Sequence, residues 1–324
     1  MHISQKKIIG VDLGGTKICV AVSDYEGKIL AELKFPTPIP SVPEAVLASI
    51  HSGIEDVRKK AGVAWESIED IGISCPGPVD PEKGILYNPP NMDGWGEVHL
   101  KKIFQEKYKK TVWVENDANA AALAERYFGA GREYASQVYL TLSTGIGGGI
   151  IMDGKLVRGA HFSAGEVGHI QLVPEGPLCG CGKKGCFEAL CSGTALARRM
   201  REMDAKEPHL LWRKKAGGDP AGLKPPVLLK AAREKDPRSL ELLEEAGDYL
   251  GLGCAQIANI LDPEVFILGT LAIHFGELLL APARRSFLRH LFFHPQTPAP
   301  FLAARLGENL AGMAAISVAL QYHR

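Results

Sequence analysis

The amino-acid sequence predicts an α/β protein made of two similar units. Three observations indicate this class. Near the N-terminus, three short apolar strands are joined by tight turns and followed by a helical segment. A comparable pattern of helix and strands begins again near residue 118. The chain has 324 residues, of which 46% are apolar, so it is long enough for one large or two medium hydrophobic cores.

The first unit begins with three strands in sequence, separated by turns that contain glycine. A proline-rich exit leads to a segment with apolar residues at helical spacing, among them Val46, Ile50 and Ile54. Two more strands follow, with an amphipathic segment between them. The predicted strands cover residues 7–11, 18–23, 28–35, 68–74 and 112–115, and the predicted helices cover 42–62 and 100–108.

The second unit contains a further glycine-rich loop between two strands and becomes mainly helical after a cysteine-rich loop. Its predicted helices are 118–127, 239–259 and 311–322, its strands are 138–141, 149–152 and 265–268, and 214–226 is predicted as a surface loop. We expect residues 1–115 to form a small α/β domain, with the C-terminal helix (309–324) packed back on it. Residues 116–308 would form a large α/β domain that carries the cysteine-rich loop.

Charge and hydropathy exclude several classes of function. The 37 Lys and Arg residues equal the 37 Asp and Glu residues in number, so no net field attracts nucleic acid or an anionic membrane. No apolar run reaches the roughly 18 residues of a membrane span, and the N-terminus does not resemble a signal peptide. We therefore predict a cytoplasmic protein that binds a small molecule, with neither a nucleic acid nor a membrane as its partner.

Two glycine-rich turns between strands are candidates for binding phosphate. In the segment from Asp12 to Lys17, paired glycines allow backbone amides to approach a phosphate, and Asp12 could hold magnesium. The segment from Thr144 to Gly149 is also rich in glycine and lies between two predicted strands, so its backbone N–H groups could also bind phosphate oxygens. Either turn alone could be an ordinary hairpin. Two such turns, one in each half, favour a magnesium nucleotide bound between the halves.

The segment from Glu115 to Ala120 places polar residues between a strand and an alanine-rich helix. One interpretation is a helix cap, because Asn and Asp are preferred there. The alternative is that Asp117 accepts the proton of an attacking substrate hydroxyl while Asn116 binds another hydroxyl. A cap requires only one of these residues, so both interpretations stay open on the residues alone.

A cluster of thiols with a nearby imidazole predicts a zinc site. Its candidate ligands are His169, Cys179, Cys181 and Cys186, and Cys-x-Cys-x₄-Cys beside a histidine is uncommon by chance. Three thiolates and one imidazole complete a tetrahedral site, so the metal would be structural. The alternative is a set of buried free cysteines. Glu166 and Glu188 flank the cluster and could bind sugar hydroxyls, or they could be solvated surface charges.

Taken together, these motifs resemble the ROK family of repressors, open reading frames and sugar kinases, and in particular its bacterial glucokinases. The similarity covers nearly the whole chain. It rests on the motifs at 12–17, 75–80, 115–120, 144–149, 166–169, 179–188 and 261–269. The resemblance implies an actin-like sugar kinase fold, with two α/β domains closing over an interdomain cleft. It also implies ATP-dependent phosphorylation of glucose at the 6-hydroxyl, and a homo-oligomer, a dimer or tetramer.

The resemblance assigns roles to individual residues. Asp117 is implied as the catalytic base. The residues implied to contact the sugar are Asn91, Asn116, Glu166, His169 and Glu188, with His169 also a zinc ligand. Those implied to surround the phosphates and magnesium are Asp12, Gly14, Gly15, Thr16, Lys17, Thr144 and Gly145, and Gly269 is implied to lie near the adenosine. The chain departs from the family pattern at Ser143 and Thr270, where glycine is usual.

Two other functions belong to the same family. A kinase for N-acetylmannosamine, N-acetylglucosamine or fructose would share Asp117 and the zinc loop, because the shape of the pocket selects the sugar. A sugar-sensing repressor would carry a helix-turn-helix domain before the Asp12 motif, and only eleven residues precede Asp12 here. We therefore expect an enzyme and not a regulator.

Overall fold

The computed structural model describes residues 6–89, 92, 94–293 and 297–324. These residues form two five-stranded sheets and one small three-stranded sheet. The strands are β1 (Lys7–Leu13), β2 (Lys17–Asp24), β3 (Ile29–Pro36), β4 (Ile68–Cys75), β5 (Val79–Asp80), β6 (Ile85–Tyr87), β7 (Glu97–Val98), β8 (Thr111–Asn116), β9 (Gln137–Leu140), β10 (Gly148–Met152), β11 (Lys155–Leu156), β12 (Val265–Leu268) and β13 (Phe301–Ala303).

The α-helices are concentrated in the second half of the chain. They are α1 (Pro43–Lys60), α2 (Leu100–Tyr108), α3 (Asp117–Phe128), α4 (Phe187–Cys191), α5 (Gly193–Lys206), α6 (Leu210–Lys215), α7 (Pro225–Arg233), α8 (Pro237–Leu261), α9 (Thr270–Phe275), α10 (Glu277–His290) and α11 (Leu310–Leu320). Among the described residues, no helix combines the length and the apolar content that a membrane span requires.

The two large sheets have the same topology. The first has the strand order β3-β2-β1-β4-β8 and the second has the order β11-β10-β9-β12-β13. In each sheet the three strands of the meander are antiparallel, and the remaining two strands run parallel to the first strand of that meander. The duplicated α/β unit that the sequence predicts is therefore present, and the predicted fold class is confirmed.

Two helices cross between the halves. Helix α3 follows the first sheet but packs against β9 and β10 of the second, whereas α11 follows the second sheet and packs against β1 and β4 of the first. The two helices also pack on each other, through Ala120 and Ala124 of α3 and Met313 of α11. Close approach requires glycine in β4, because a Cβ on Gly72 would lie 2.2 Å from the carbonyl oxygen of Ala315. The domain boundary between residues 115 and 116 stays a prediction.

The prediction of a surface loop at 214–226 was wrong in part. Its first residues end α6, its middle contains a short 3₁₀ turn (Pro220–Gly222), and its last residues begin α7. The Asp219 side chain caps the turn by accepting a hydrogen bond from the N–H of Ala221 at 2.8 Å. Leu223 is fully buried in the core of the second half. One apolar residue in a Gly/Pro-rich segment is enough to anchor the segment to the core, which composition alone does not reveal.

Candidate active site

A cavity of about 510 Å³ lies between the two halves, at the end of β1 and beside the start of α3. Asp12 contributes its carboxylate from the first sheet, and Asp117 contributes its carboxylate from the first residue of α3. Lys17 and Lys34 place two cationic groups in the same lining. The cavity therefore collects carboxylates and ammonium groups from elements far apart in the sequence.

Asp12 has a perturbed acidity. Burial raises the pKa of its carboxyl to about 7, and the nearby negative charge of Asp117 also raises it. Two effects oppose this shift, the hydrogen bond that Ser74 Oγ donates to Asp12 Oδ1 at 2.8 Å and the positive charge of Lys34. A carboxylate oxygen held in this way is the type of ligand that magnesium prefers.

The turn after Asp12 closes tightly. The N–H of Gly14 donates to the carbonyl oxygen of Lys17 at 3.1 Å, and a Cβ on Gly14 would lie 2.7 Å from that oxygen. Thr37 Oγ1 donates to the carbonyl oxygen of Gly14 at 2.7 Å and so ties the turn to the segment after β3. Gly14 and Lys17 line the cavity, and Gly15 and Thr16 lie between them in the same turn.

The turn at Asn116 and Asp117 forms the predicted helix cap and also contributes a carboxylate residue to the cavity; the role of Asp117 as a base stays a prediction. Asn116 is the N-cap of α3, and its Oδ1 accepts hydrogen bonds from the N–H groups of Ala118 at 2.9 Å and Asn119 at 3.3 Å. Asp117 is not needed for that cap, and its carboxylate faces the cavity. Removal from bulk water raises the pKa of Asp117, Glu166 raises it further, and the N–H of Ala118 opposes the shift. A base with a raised pKa takes a proton more readily.

A second, larger cavity of about 700 Å³ adjoins the first. Ser143 and Thr270 line both cavities and so mark the place where they meet. Thr144 lines the larger cavity, whereas Gly269 lies one residue before Thr270. The rest of the larger lining comes from α5, α7, α9 and their flanking residues: Gly193, Thr194, Ala197, Arg201, Lys224, Pro225, Pro226, Leu229, Leu271, His274 and Phe275.

Glu188 connects the second glycine-rich loop to the cysteine cluster. Its Oε2 accepts a hydrogen bond from the N–H of Ile146 at 2.9 Å, and its Oε1 lies 3.7 Å from the Sγ of Cys179. A Cβ on Gly145 would lie 2.2 Å from Glu188 Oε2, so the approach of this carboxylate requires glycine at that position. Glu188 is thus held by the protein and is not a solvated surface charge.

The four predicted metal ligands converge. The donor atoms of His169, Cys179, Cys181 and Cys186 all lie within 4.8 Å of one another. The Sγ atoms of Cys181 and Cys186 are 3.7 Å apart, and Cys179 Sγ is 3.7 Å from His169 Nδ1. Two sulfurs bound to one tetrahedral zinc at about 2.3 Å would lie about 3.8 Å apart. The donor set and its spacing therefore fit a zinc ion.

His169 presents its two ring nitrogens to different neighbours. Nδ1 faces the Sγ of Cys179, whereas Nε2 lies 3.9 Å from Glu166 Oε2. Glu166 also influences the pKa of Asp117 by its charge. The structure thus links Glu166, His169 and Asp117 in one region. Asn91, the remaining predicted sugar ligand, lies outside the described residues.

Several residues of these cavities were missed by the sequence analysis. Lys34 comes from β3, and Arg201, Lys224 and His274 come from α5, the residue before α7, and α9. These residues stand alone in the sequence, outside any recognisable motif. Only the pairing of strands and the packing of helices brings them to the cavities.

Comparisons with known proteins agree with this arrangement. A sequence profile described as the ROK family matches residues 8–321. The chain belongs to the ROK family. It is 40% identical to a glucokinase from Streptomyces coelicolor over 94% of each chain. Its fold matches two crystal structures, a ROK hexokinase from Thermus thermophilus (TM-score 0.81, 35% identity, 98% of this chain and 99% of that one) and a ROK family glucokinase from Streptomyces griseus in complex with glucose and AMPPNP (TM-score 0.80, 38% identity, 96% and 98%).

Proposed function

We propose that this ROK protein is an ATP-dependent glucokinase, which transfers the γ-phosphoryl group of ATP to the 6-hydroxyl of glucose with Asp117 as the general base. The observation that carries this proposal is a cavity between the two duplicated halves that is lined by Asp117 and that adjoins a larger cavity in the second half. The similarity to glucokinases at 40% identity over 94% of the chain, and to a glucokinase crystallised with glucose and AMPPNP, supports glucose and ATP as substrates.

Asp117 is suited to accept the proton of the sugar hydroxyl. Removal of its carboxylate from bulk water raises its pKa, and that makes it a stronger base than an ordinary aspartate. The N–H of Ala118 donates to Asp117 Oδ1 at 2.8 Å and so orients the carboxylate. The carboxylate would then face a hydroxyl of a sugar bound in the cleft. Closure of the halves would exclude water that could otherwise hydrolyse ATP.

Asp12 is the residue that we propose to hold magnesium. When bound, the ion would neutralise charge on the phosphates of ATP. The hydrogen bond from Ser74 Oγ fixes the Asp12 carboxylate toward the cavity. The backbone around Gly14, Gly15 and Thr16, together with Lys17, would then surround the phosphate oxygens.

The larger cavity fits the adenosine part of the nucleotide. It adjoins the phosphate region at Ser143 and Thr270, and Thr144 lies in its lining. We propose that the hydroxyl groups of Ser143 and Thr270 stand at the junction of nucleoside and phosphates, where other family members usually have glycine. Gly145 and Gly269 line neither cavity, but each is adjacent in sequence to a lining residue, Thr144 and Thr270 respectively.

The sugar would bind near Asp117, between the α3 turn and the zinc loop. We propose that Asn91, Asn116, Glu166, His169 and Glu188 contact its hydroxyl groups. The zinc ion would act as a structural brace, because four protein ligands leave no open coordination position for an activated water. The cytoplasmic location and the homo-oligomeric state stay predictions.

A coupled assay of ADP release tests the function. Glucose, mannose, fructose, N-acetylglucosamine and N-acetylmannosamine are compared as acceptors, with ATP and polyphosphate as donors. We expect the highest kcat/KM with glucose and ATP. A clear preference for an N-acetylhexosamine or for fructose would show that the chain is another ROK sugar kinase, and no sugar-dependent ADP release would contradict the kinase assignment.

A further inference from the structure

Glu115 is a buried carboxylate at the end of β8, directly before Asn116 and Asp117. Its side chain is 1% exposed. Oε1 accepts hydrogen bonds from the backbone N–H of Asn116 at 3.0 Å and from Nδ2 of Asn119 at 3.0 Å. Glu115 therefore holds both the turn that presents Asp117 and the first turn of α3 that follows it.

Arg158 supplies the charge that balances Glu115. Its Nε donates to Glu115 Oε2 at 2.7 Å, and its Nη2 donates to Gln321 Oε1 at 2.6 Å, just beyond the end of α11. A carboxylate this buried requires a partner, because water cannot solvate it and an unpaired charge in the interior is costly. The ion pair is therefore a necessary part of the structure around the Asp117 turn.

Arg158 also anchors the loop that carries Glu166. The residue follows β11, and its carbonyl oxygen accepts a hydrogen bond from the N–H of Ala164 at 3.0 Å, which closes the loop before Glu166. Gly165 has a φ of +96°, and a Cβ there would lie 2.4 Å from the carbonyl oxygen of Gly148, so the loop lies close against β10. One end of the ion pair thus belongs to the Asp117 turn and the other end to the Glu166 loop.

We propose that Glu115 and Arg158 form a positioning pair, which fixes the Asp117 turn and the Glu166 loop relative to each other on two sides of the sugar site. The inference rests on the proposed glucokinase function. Neither residue is among those that line the two cavities, so each would act through the groups that it holds. Displacement of reacting groups by about 1 Å is enough to slow catalysis by about 10²-fold.

A second ion pair in the chain provides a matched control. Asp204 has a side chain that is 3% exposed, accepts hydrogen bonds from Arg213 Nε at 3.0 and 3.1 Å, and also accepts one from the N–H of His209 at 2.8 Å. It joins α5 to α6 and is not among the cavity residues. Loss of this pair should lower stability without moving any group that binds glucose.

The experiment compares kcat, the KM values for glucose and ATP, and the melting temperature of four variants with those of the wild type. Arg158→Met and Glu115→Gln should lower kcat by about 10- to 100-fold and raise the KM for glucose, with the KM for ATP changed by no more than about twofold. Arg158→Lys keeps a charge beside Glu115 and should recover part of kcat. Arg213→Met should lower the melting temperature and leave kcat within about twofold of the wild type.

Different results would contradict the positioning role of the pair and the proposed glucokinase function. If Arg158→Met loses melting temperature as Arg213→Met does but keeps kcat within about twofold, the pair is only structural and the inference is overturned. If the wild type shows no glucose-dependent ADP release, the proposed function itself has failed. If Arg158→Met does not fold, Glu115→Gln and Arg158→Lys replace it in the test. A lower kcat and a higher KM for glucose, with a nearly unchanged KM for ATP, would support the inference, and unchanged values would overturn it.

Discussion

The carboxylates of Asp12 and Asp117 line one cavity, and the negative charge of Asp117 helps to raise the pKa of Asp12 to about 7. Asp12 ends a strand of the first sheet, whereas Asp117 begins the helix that crosses to the second sheet. Two acidic groups with raised pKa values in one cleft are typical of a functional site, since stability alone would favour their separation. Asp12 can be tested by the dependence of stability on pH, and Asp117 by turnover.

The Asp12→Asn variant should be more stable than the wild type at alkaline pH. The pKa of Asp12 rises from 3.8 to about 7 on folding, so the folded chain binds more protons between these values and loses stability as the pH rises through that window. Removal of the charge should increase the free energy of unfolding at pH 8 by up to about 4 kcal/mol, and should change it little at pH 4.

Urea unfolding at both pH values measures this difference. Glu133→Gln, a change at an exposed position, is the control and should show the same stability as the wild type at each pH. If Asp12→Asn changed the free energy of unfolding equally at pH 4 and pH 8, the result would contradict a raised pKa of Asp12.

The Asp117→Asn variant should lose turnover but keep sugar binding. An amide cannot accept the proton of the 6-hydroxyl, and general base catalysis contributes about 10²- to 10⁴-fold to the rate. Isothermal titration with glucose should give a Kd within about threefold of the wild type, while kcat falls by at least about 10²-fold. Nearly normal turnover would exclude Asp117 as the base.

The dependence of kcat/KM on pH should report the raised pKa of Asp117. The base must be ionised, so activity should fall as the pH falls through a pKa above the usual range of an aspartate. Glu166 contributes to that shift by its charge. In Glu166→Gln the acidic limb of the kcat/KM profile should therefore move to lower pH. A shift of that limb to higher pH would contradict an electrostatic effect of Glu166 on the pKa of Asp117.

The cysteine cluster should hold one zinc ion per chain that supports sugar binding. Cys181→Ser removes one of four ligands, so elemental analysis should find less zinc, and the KM for glucose should rise more than the KM for ATP. Cys254→Ala is the control, because this thiol is buried in the core among apolar residues and should leave the metal content unchanged. Full loss of zinc with an unchanged KM for glucose would argue against a bracing role.

Local sequence patterns were sufficient for much of the fold. The strand at Val265–Leu268 was predicted with the observed bounds, because the polar residues on both sides of this short apolar run define where the strand begins and ends. The spacing of Cys179, Cys181 and Cys186 predicted their convergence, since a short glycine-rich loop restricts where its thiols can lie. The small sheet of β5, β6 and β7 was not predicted, because its strands have only two or three residues each.

Contacts between distant elements could not be predicted in this way. The hydrogen bond from Ser74 to Asp12 depends on the pairing of β1 with β4, and the ion pair of Glu115 with Arg158 spans 43 positions of the sequence. His274 and Lys224 reach the larger cavity only through the packing of α7 and α9. Such side chains carry no local signal, because their role is defined by the residues that folding places beside them.

The central claim is most directly tested by phosphorus NMR of the reaction products. Purified protein is incubated with glucose, ATP and magnesium, and the same reaction is run with Asp117→Asn. We predict that glucose 6-phosphate and ADP accumulate in equal amounts with the wild type and that neither accumulates at a comparable rate with the variant. ADP formed without a sugar phosphate, a phosphate on a different hydroxyl, or equal product from the Asp117→Asn variant would contradict the account.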